Sequence, residues 1–357
     1  MITEINLNNF KGFKTLVLRD LKRISLVSGK NNIGKSSLLE AFFLLLAHQS
    51  SDVFLKLASL RAVSYATPTE LWESLFYNKD TEHPFRIGFR YDDGTRANLE
   101  YVREKDMTFF NKIKAPTDVM MALQDAVRNN YSLRFSFSHE KYKEIGYSIV
   151  ASSTILNKIQ TSKDKNALER MPHTLYINSL IMSINSGTVS WLGTIETKGL
   201  KSVLIEALRL IDDDILDVIT LSMGGPAQLY IKKKKTTLPL FLAGDGLKRL
   251  LYLVAAVVTN PDTLILIDEI ENGFHYSIYN QIWKLLSQLA VQYNCQIIVT
   301  THSYEHITRA LEGIKEGKGE KEFCYYRLDV DKKGHITAFR YEPKILQIAL
   351  EKNLEIR

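Results

Sequence analysis

Residues 29 to 36 read Gly29-Lys30-Asn31-Asn32-Ile33-Gly34-Lys35-Ser36, a GxxxxGK[ST] spacing suited to holding phosphate. Glycines at both ends let backbone amides close around phosphate oxygens. Lys35 supplies a point charge for the β and γ phosphates, and Ser36 offers a hydroxyl to Mg2+. Asn31, Asn32 and Ser37 complete the set expected to contact the nucleotide, with ATP and Mg2+ as the expected ligands. The apolar run ISLVS precedes the pattern and the leucine-rich SLLEAFFLLLA follows it. Strand, loop and helix in that order are the context in which this pattern cradles phosphate, and the helix N-terminus adds partial positive charge.

Two later segments supply acid and base chemistry. Leu264-Ile265-Leu266-Ile267-Asp268-Glu269 is an apolar strand ending in two carboxylates, the form of a Walker B element. Side chains alternate faces along a strand, so the two acids are expected to divide the work. Asp268 would hold Mg2+ through its water shell, and Glu269 would polarise the attacking water as general base. Ile297-Ile298-Val299-Thr300-Thr301-His302-Ser303 is a second apolar strand, with His302 placed to hydrogen-bond the transferring phosphoryl group. The stretch LAGDGLKRL contains Gly244, Asp245 and Gly246 ahead of an apolar helix. Its amides and helix N-terminus could bind phosphate. Asp245 would repel an anion if it pointed inward, so it is expected to cap its own helix.

These residues need a scaffold that brings strand ends together. At 357 residues, with 45% hydrophobic and 24% charged residues, the chain can bury a sizeable core. No apolar run approaches the roughly 18 residues of a membrane span, and the start lacks the basic pattern of a secretory signal, so a cytoplasmic location is expected. Cys295 and Cys324 have no CxxC spacing and no histidine cluster at ligand spacing, so neither a disulfide framework nor a structural zinc site is indicated. Net charge is +6, which permits nucleic-acid contact without demanding it.

Alternation predicts strands at ITEINLNNF, TLVLRD and ISLVS, then a buried helix over Ser37 to Ala47. Residues 85 to 155 read as strand-rich, with Asp92-Asp93-Gly94 as a hairpin turn, 190 to 210 as helical, and about 215 to 242 as strands. From there the pattern is α/β: helix 247 to 258, strand 263 to 267, helix about 275 to 292, strand 296 to 300, helix about 303 to 313, then a strand pair and a final helix. The expected organisation is a head of residues 1–50 and 240–357 interrupted by an inserted antiparallel and helical lobe of residues 51–239.

The order of phosphate loop, glycine-bearing signature, Asp-Glu strand and Thr-His-Ser strand resembles the ABC-type ATPase head, a mixed sheet flanked by helices. NNFKGFK beside GKNNIGKSS is similar to SMC and RecF-like heads, while GDGLKRLL, LIDEIENGFH and TTHS look like the OLD (overcoming lysogenization defect) class. The resemblance covers about 1 to 50 and 240 to 357. It implies ATP sandwiched between two heads, the loop of Gly244 and Gly246 on one facing the phosphate loop of the other, and hence a homodimer or higher even oligomer. The family commonly carries a serine where Gly244 stands, which removes one hydroxyl contact. Glu271-Asn272-Gly273-Phe274-His275 occupies the place of the family's D-loop, with Asn272 and His275 open between an interface role and helix capping. No Q-loop glutamine is assigned, neither Gln49 nor the LWESLF segment at 71 to 76 being distinctive.

Other polar features read as ordinary surface. Lys232 to Lys235 suggests a solvated strand edge that discourages pairing, and Asp212 to Asp214 a solvated helix end. Lys11, Lys14, Lys22 and Arg23 could cross a DNA backbone or form a plain basic surface. The expected function is an ATP-hydrolysing switch. The resemblance, with no Toprim acidic cluster before Arg357, implies a stand-alone sensor ATPase of a bacterial anti-phage or toxin-antitoxin-like system with a separate effector. A RecF- or SMC-like DNA maintenance ATPase and a non-hydrolysing ATP-stabilised scaffold stand as alternatives.

Overall fold

The computed structural model describes residues 1–45, 73–103, 132–140, 142–151, 156–160, 173–177, 186–222 and 227–356, with the single positions 57, 70, 121 and 225. In chain order the strands and helices begin with β1 (Ile2–Phe10), β2 (Phe13–Arg19), β3 (Ile24–Gly29) and α1 (Lys35–Phe43). A strand-rich stretch follows: β4 (Phe85–Tyr91), β5 (Arg96–Arg103), β6 (Ser132–His139), β7 (Tyr142–Ala151), β8 (Leu156–Gln160) and β9 (Thr174–Ile177). Next come α2 (Ser186–Thr197), α3 (Lys201–Leu208), β10 (Ile215–Leu221), β11 (Gln228–Lys233) and β12 (Thr237–Pro239). The last third holds α4 (Asp245–Thr259), β13 (Leu264–Ile267), α5 (Tyr279–Gln292), β14 (Gln296–Thr300), α6 (Tyr304–Glu316), β15 (Phe323–Val330), β16 (Ile336–Tyr341) and α7 (Pro343–Glu351).

The chain divides into two units. One comprises Met1–Leu21, Lys30–Pro172 and Leu328–Phe339. Its sheet has the order β2-β1-β4-β5-β6-β7-β8, and every pairing in it is antiparallel. Period-two alternation identifies β1 as a strand but does not name its partner, and β1 pairs with β4 some eighty positions later through Ile5 and Phe89. Asp92-Asp93-Gly94 does form the β4–β5 turn: Gly94 has φ 82 and donates to the Tyr91 carbonyl at 3.0 Å. One face of this sheet is aromatic, with Phe85 stacked on Tyr101 at 4.4 Å and tilted against Phe10 at 5.4 Å.

The other unit comprises Lys22–Gly29, His173–Arg327 and Arg340–Arg357. At its centre β3, β14, β13 and β9 run parallel, so their C-terminal ends lie at one edge. Central parallel strands are buried on both faces and read as unbroken apolar runs. Ile265, Leu266, Ile267, Ile297, Ile298 and Val299 obey this, all fully buried. Helix α4 packs its apolar face into the same core, with Leu250, Leu253, Val254 and Val257 buried. Strand β9, which has no counterpart in the sequence reading, flanks β13 on its outer side.

Several local expectations are corrected. Helix α1 begins at Lys35, two residues before Ser37, because Leu38 donates back to the Gly34 carbonyl at 2.9 Å and draws the phosphate loop into the first turn. The Lys232–Lys235 run lies at a hairpin rather than on a sheet edge: Lys232 and Lys233 end β11, the middle strand of the β10-β11-β12 sheet, and Lys234 and Lys235 sit in the turn to β12. Its charges are matched locally instead: Lys233 pairs with Asp212 at 2.6 Å and Lys234 with Asp214 at 2.9 Å. Thus two of the three aspartates at the helix end have lysine partners rather than water alone. Gln49, Leu71 and Trp72 lie outside the described residues. Both cysteines are buried free thiols. Among the described residues no helix is long and apolar enough to cross a membrane.

Candidate nucleotide site

Strand β3 ends at Gly29, at the same edge of the parallel sheet as the ends of β13 and β14, and the loop of Lys30 to Gly34 continues from there. Three loop residues have positive φ: Gly29 at 149, Asn32 at 62 and Gly34 at 94. Gly34 is the N-cap of α1 in left-handed geometry and supplies no side-chain cap. A β-carbon there would lie 2.8 Å from the Phe13 ring. Glycine is therefore required twice over, by dihedral and by space. Lys35 is largely buried and its Nζ donates to the Lys30 carbonyl at 3.0 Å, folding the ammonium over the loop. Ser36 and Ser37 are half-buried in the first turn, while Asn31 and Asn32 are exposed. Behind the helix, Glu40 is buried in an ion pair with Lys11.

This pairing changes the reading of the basic residues. Lys11 is committed to Glu40, and Arg23 is committed to Glu322 at 3.3 Å and Asn294 at 2.9 Å. Neither is a surface cation available to a DNA backbone. Lys14 is exposed and Lys22 half-buried.

In the parallel-sheet unit the acids gather at the ends of β13 and β14. Asp268 accepts from the Thr300 hydroxyl at 2.5 Å and from the Tyr176 hydroxyl at 3.2 Å. These two donors fix the direction of its carboxylate. Glu269 leaves the strand with φ 48, a left-handed conformation that costs a non-glycine residue about 1–3 kcal/mol and persists where surroundings over-determine it. Here the surroundings do. The Glu269 amide donates to Thr300 Oγ1 at 2.9 Å, and its carbonyl accepts from Arg249 at 2.8 Å and from the Asn272 amide at 3.1 Å. Asn272 Nδ2 then holds the Glu269 carboxylate itself at 2.8 Å. The two acids are thus separated by this turn of the backbone rather than by strand alternation, since β13 stops at Ile267.

His302 is exposed on one side and anchored on the other. Glu271 Oε1 accepts from the His302 amide at 2.7 Å and lies 2.8 Å from its Nδ1, fixing the tautomer so that Nε2 faces outward. Sequence reasoning missed Glu271, Arg249 and Tyr176. Glu271 was legible only as part of a loop motif, and Tyr176 belongs to a strand far away in sequence. Arg249 was read as one position in a helix.

The glycine-bearing loop also differs from expectation at Asp245. Gly244, with φ −60 and ψ 151, is the N-cap of α4 and Asp245 is the first helical residue, so its side chain cannot cap that helix. It is exposed and paired with Lys248 at 2.7 Å, which holds its carboxyl below the usual range. The α4 N-terminus therefore carries no side-chain cap. Gly246 packs so closely that a β-carbon would lie 2.5 Å from the Gly273 carbonyl oxygen, whereas one at Gly244 would meet nothing within 4 Å. His275 resolves toward capping, since it accepts from the Ser277 amide at 3.4 Å. Asn272 serves Glu269 instead.

The donor set suits a magnesium nucleotide. Two glycine-started helix N-termini without side-chain caps suit phosphate. Within the parallel-sheet unit, the fixed Asp268 carboxylate is an oxygen ligand of the kind a hard cation takes. Among the described residues no cluster of three or more His, Cys, Asp or Glu side chains offers an all-protein metal cage.

Mixed α/β architecture with sheets flanked by helices defines an SMC-head-like ABC ATPase fold. Two solved structures share it: an Smc head domain with an extended coiled coil bound to the C-terminal domain of ScpA, from Pyrococcus furiosus, and an SmcHead bound to the C-winged helix domain of ScpA. The first has a TM-score of 0.53 at 11% identity and the second 0.50 at 12%, with 99% of each chain covered in both cases. The chain belongs to the family described as "AAA domain, putative AbiEii toxin, Type IV TA system", matched over residues 24–307. It is similar to a Helicobacter pylori protein named ATP/GTP phosphatase, 24% identical over 339 residues, covering 88% of this chain and 89% of that one. A Methanocaldococcus jannaschii protein is 30% identical over 163 residues, covering 43% of this chain and 66% of its own.

Proposed function

We propose that this chain is a Mg-dependent ATPase whose site is completed by a second copy, the Gly244–Gly246 loop of one facing the nucleotide held by Gly29, Asn31, Asn32, Gly34, Lys35, Ser36 and Ser37 of the other. One observation carries the hydrolytic part. Glu269 is held at the sheet edge in a left-handed backbone by Thr300, Arg249 and Asn272, an arrangement that a solvated strand-end acid has no need of. In this reading Lys35 and the loop amides bind phosphate, Asp268 and Ser36 hold the hydrated cation, and Glu269 takes the proton of the attacking water. His302 turns the ring edge opposite Glu271 toward the phosphoryl group. The cation, when bound, supplies charge neutralisation at the β and γ oxygens.

The composite site has its own support. The α4 N-terminus lacks a side-chain cap, and Gly244 is exposed with space around it that none of the described residues fills. The family description and the phosphatase relative support ATP hydrolysis, and the family description is consistent with a toxin-antitoxin or anti-phage setting; in our proposal the chain is the sensor and a separately encoded effector is its output. The motifs LIDEIENGFH and TTHS support a position near the OLD class. Phosphate release by the intact protein, compared with Glu269→Gln, tests the assignment. Turnover at least about 100-fold above the variant is expected, and equal rates would refute it.

A further inference from the structure

Behind the site edge lies a set of buried polar groups that the proposed reaction does not use directly. Arg249, 1% exposed, is buried with Glu271 and His306. Each leaves one buried atom without a hydrogen-bond partner: Arg249 Nε, Glu271 Oε2 and His306 Nδ1. A guanidinium offers five N–H groups in a fixed fork, and a buried one ordinarily meets a carboxylate two-to-two. Here Nη2 instead donates to the carbonyls of Asp268 and Glu269, both at 2.8 Å, while the nearby acid Glu271 spends its other oxygen on His302. A purely structural arginine would be expected to satisfy its charge on Glu271. This one reaches the backbone of the two acids at the strand end.

Its location gives that contact meaning. Arg249 sits on α4 one turn after the Gly244–Gly246 loop, and Gly246 abuts Gly273 in the turn that carries Glu271 and Asn272. One helix thus links the loop to two of the three holders of Glu269, by Arg249 to its carbonyl and by the Gly273 turn to Asn272. We propose that Arg249 is a positioning residue, through which contact of phosphate with the Gly244–Gly246 loop sets the Glu269 carboxylate and the Glu271–His302 pair. The inference rests on the composite-site reading above. A shift of α4 by a fraction of an ångström would pull on both acid carbonyls through Arg249 Nη2 and bring the unpartnered Nε toward Glu271, loosening its hold on His302.

The test is a double-variant cycle on turnover with Arg249→Met, Glu271→Gln and their combination, alongside calorimetric ATP affinity and ATP-driven self-association by sedimentation. Arg249→Met is expected to lower kcat on the order of 10-fold or more, with KM and ATP affinity within about twofold and pairing retained. The double variant should be no slower than the slower single one, because the two residues act as a unit. Unchanged kcat, multiplicative losses, or a kcat loss that merely follows lost pairing would overturn the assignment. Should Arg249→Met fail to fold, Arg249→Lys keeps the charge without the fork and enters the same cycle with the same expectation. Wild-type protein that does not self-associate with ATP would overturn the composite-site reading and this inference with it, whereas normal wild-type pairing and turnover with an indifferent Arg249 strikes the inference alone.

Discussion

Two helices of this protein start on a glycine with no capping side chain, and they surround that glycine in opposite ways. At α1, Gly34 is left-handed and its missing β-carbon is replaced by the Phe13 ring. At α4, Gly244 is extended and open, and the tight approach occurs two residues later at Gly246. The first terminus is shaped entirely by its own unit. The second leaves open space at Gly244 among the described residues, and in the proposed assembly that is where a nucleotide on another copy would come. What stands behind the two helices differs as well. Around α1 the packing is aromatic, with Phe42 against Phe89 at 6.0 Å and one buried ion pair. Around α4 it includes a buried arginine and a buried histidine.

Substitutions should separate the two termini. Gly34→Ala puts a methyl group into the Phe13 ring at a φ that disfavours L residues, and it should abolish ATP binding in calorimetry and cost about 2–3 kcal/mol of stability. A variant that bound ATP normally would remove the reason for the glycine. Gly246→Ala should come next, because the clash is with a backbone carbonyl that cannot rotate away. It should leave ATP affinity intact, lower the melting temperature by a few degrees for about 1–2 kcal/mol, and reduce turnover by displacing the Gly273 turn. Gly244→Ala should change neither folding nor ATP affinity. Its effect should be confined to ATP-driven pairing, read by sedimentation, and normal pairing would weaken the case for a composite site.

A smaller effect distinguishes the packing behind the helices. His306 accepts from the Trp283 indole at 2.8 Å, and burial, with the Arg249 charge, lowers its pKa from 6.5 to about 3. Between those values the unfolded chain binds a proton that the folded chain does not. Stability from this group is therefore complete above about pH 6.5 and falls by up to about 1.4 kcal/mol per pH unit as pH drops toward 3. His306→Gln should flatten that acid limb in urea titrations at pH 7 and pH 5. An equal slope in the variant would show that the acid sensitivity lies elsewhere, including the side of α1.

The comparison also explains what the sequence made legible. The phosphate loop, the Asp268-Glu269 strand end and His302 are local patterns, each set by residues within one strand and the turn after it, and all could be read directly. The error at Asp245 came from the same locality: a carboxylate before a helix suggests a cap, but only the extended backbone of Gly244 decides which residue stands first. Arg249, Glu271 and Tyr176 were invisible because their roles are defined by partners across the sheet, such as Tyr176 on β9 meeting Asp268 ninety-two positions later. The separation of β1 and β2 from β3 was hidden for a related reason. Alternation marks a strand, while its neighbour is set by the remainder of the chain.

The backbone of Glu269 carries one more consequence, in the currency of stability against activity. Glutamate is poorly suited to φ 48, whereas asparagine and glycine adopt that region readily. Position 269 is thus a place where the wild-type residue is a compromise: a Glu269→Gly or Glu269→Asn protein should be inactive and yet melt at least as high as the parent, even after losing the bond to Asn272. A marked fall in melting temperature would mean that the site holds Glu269 there without strain.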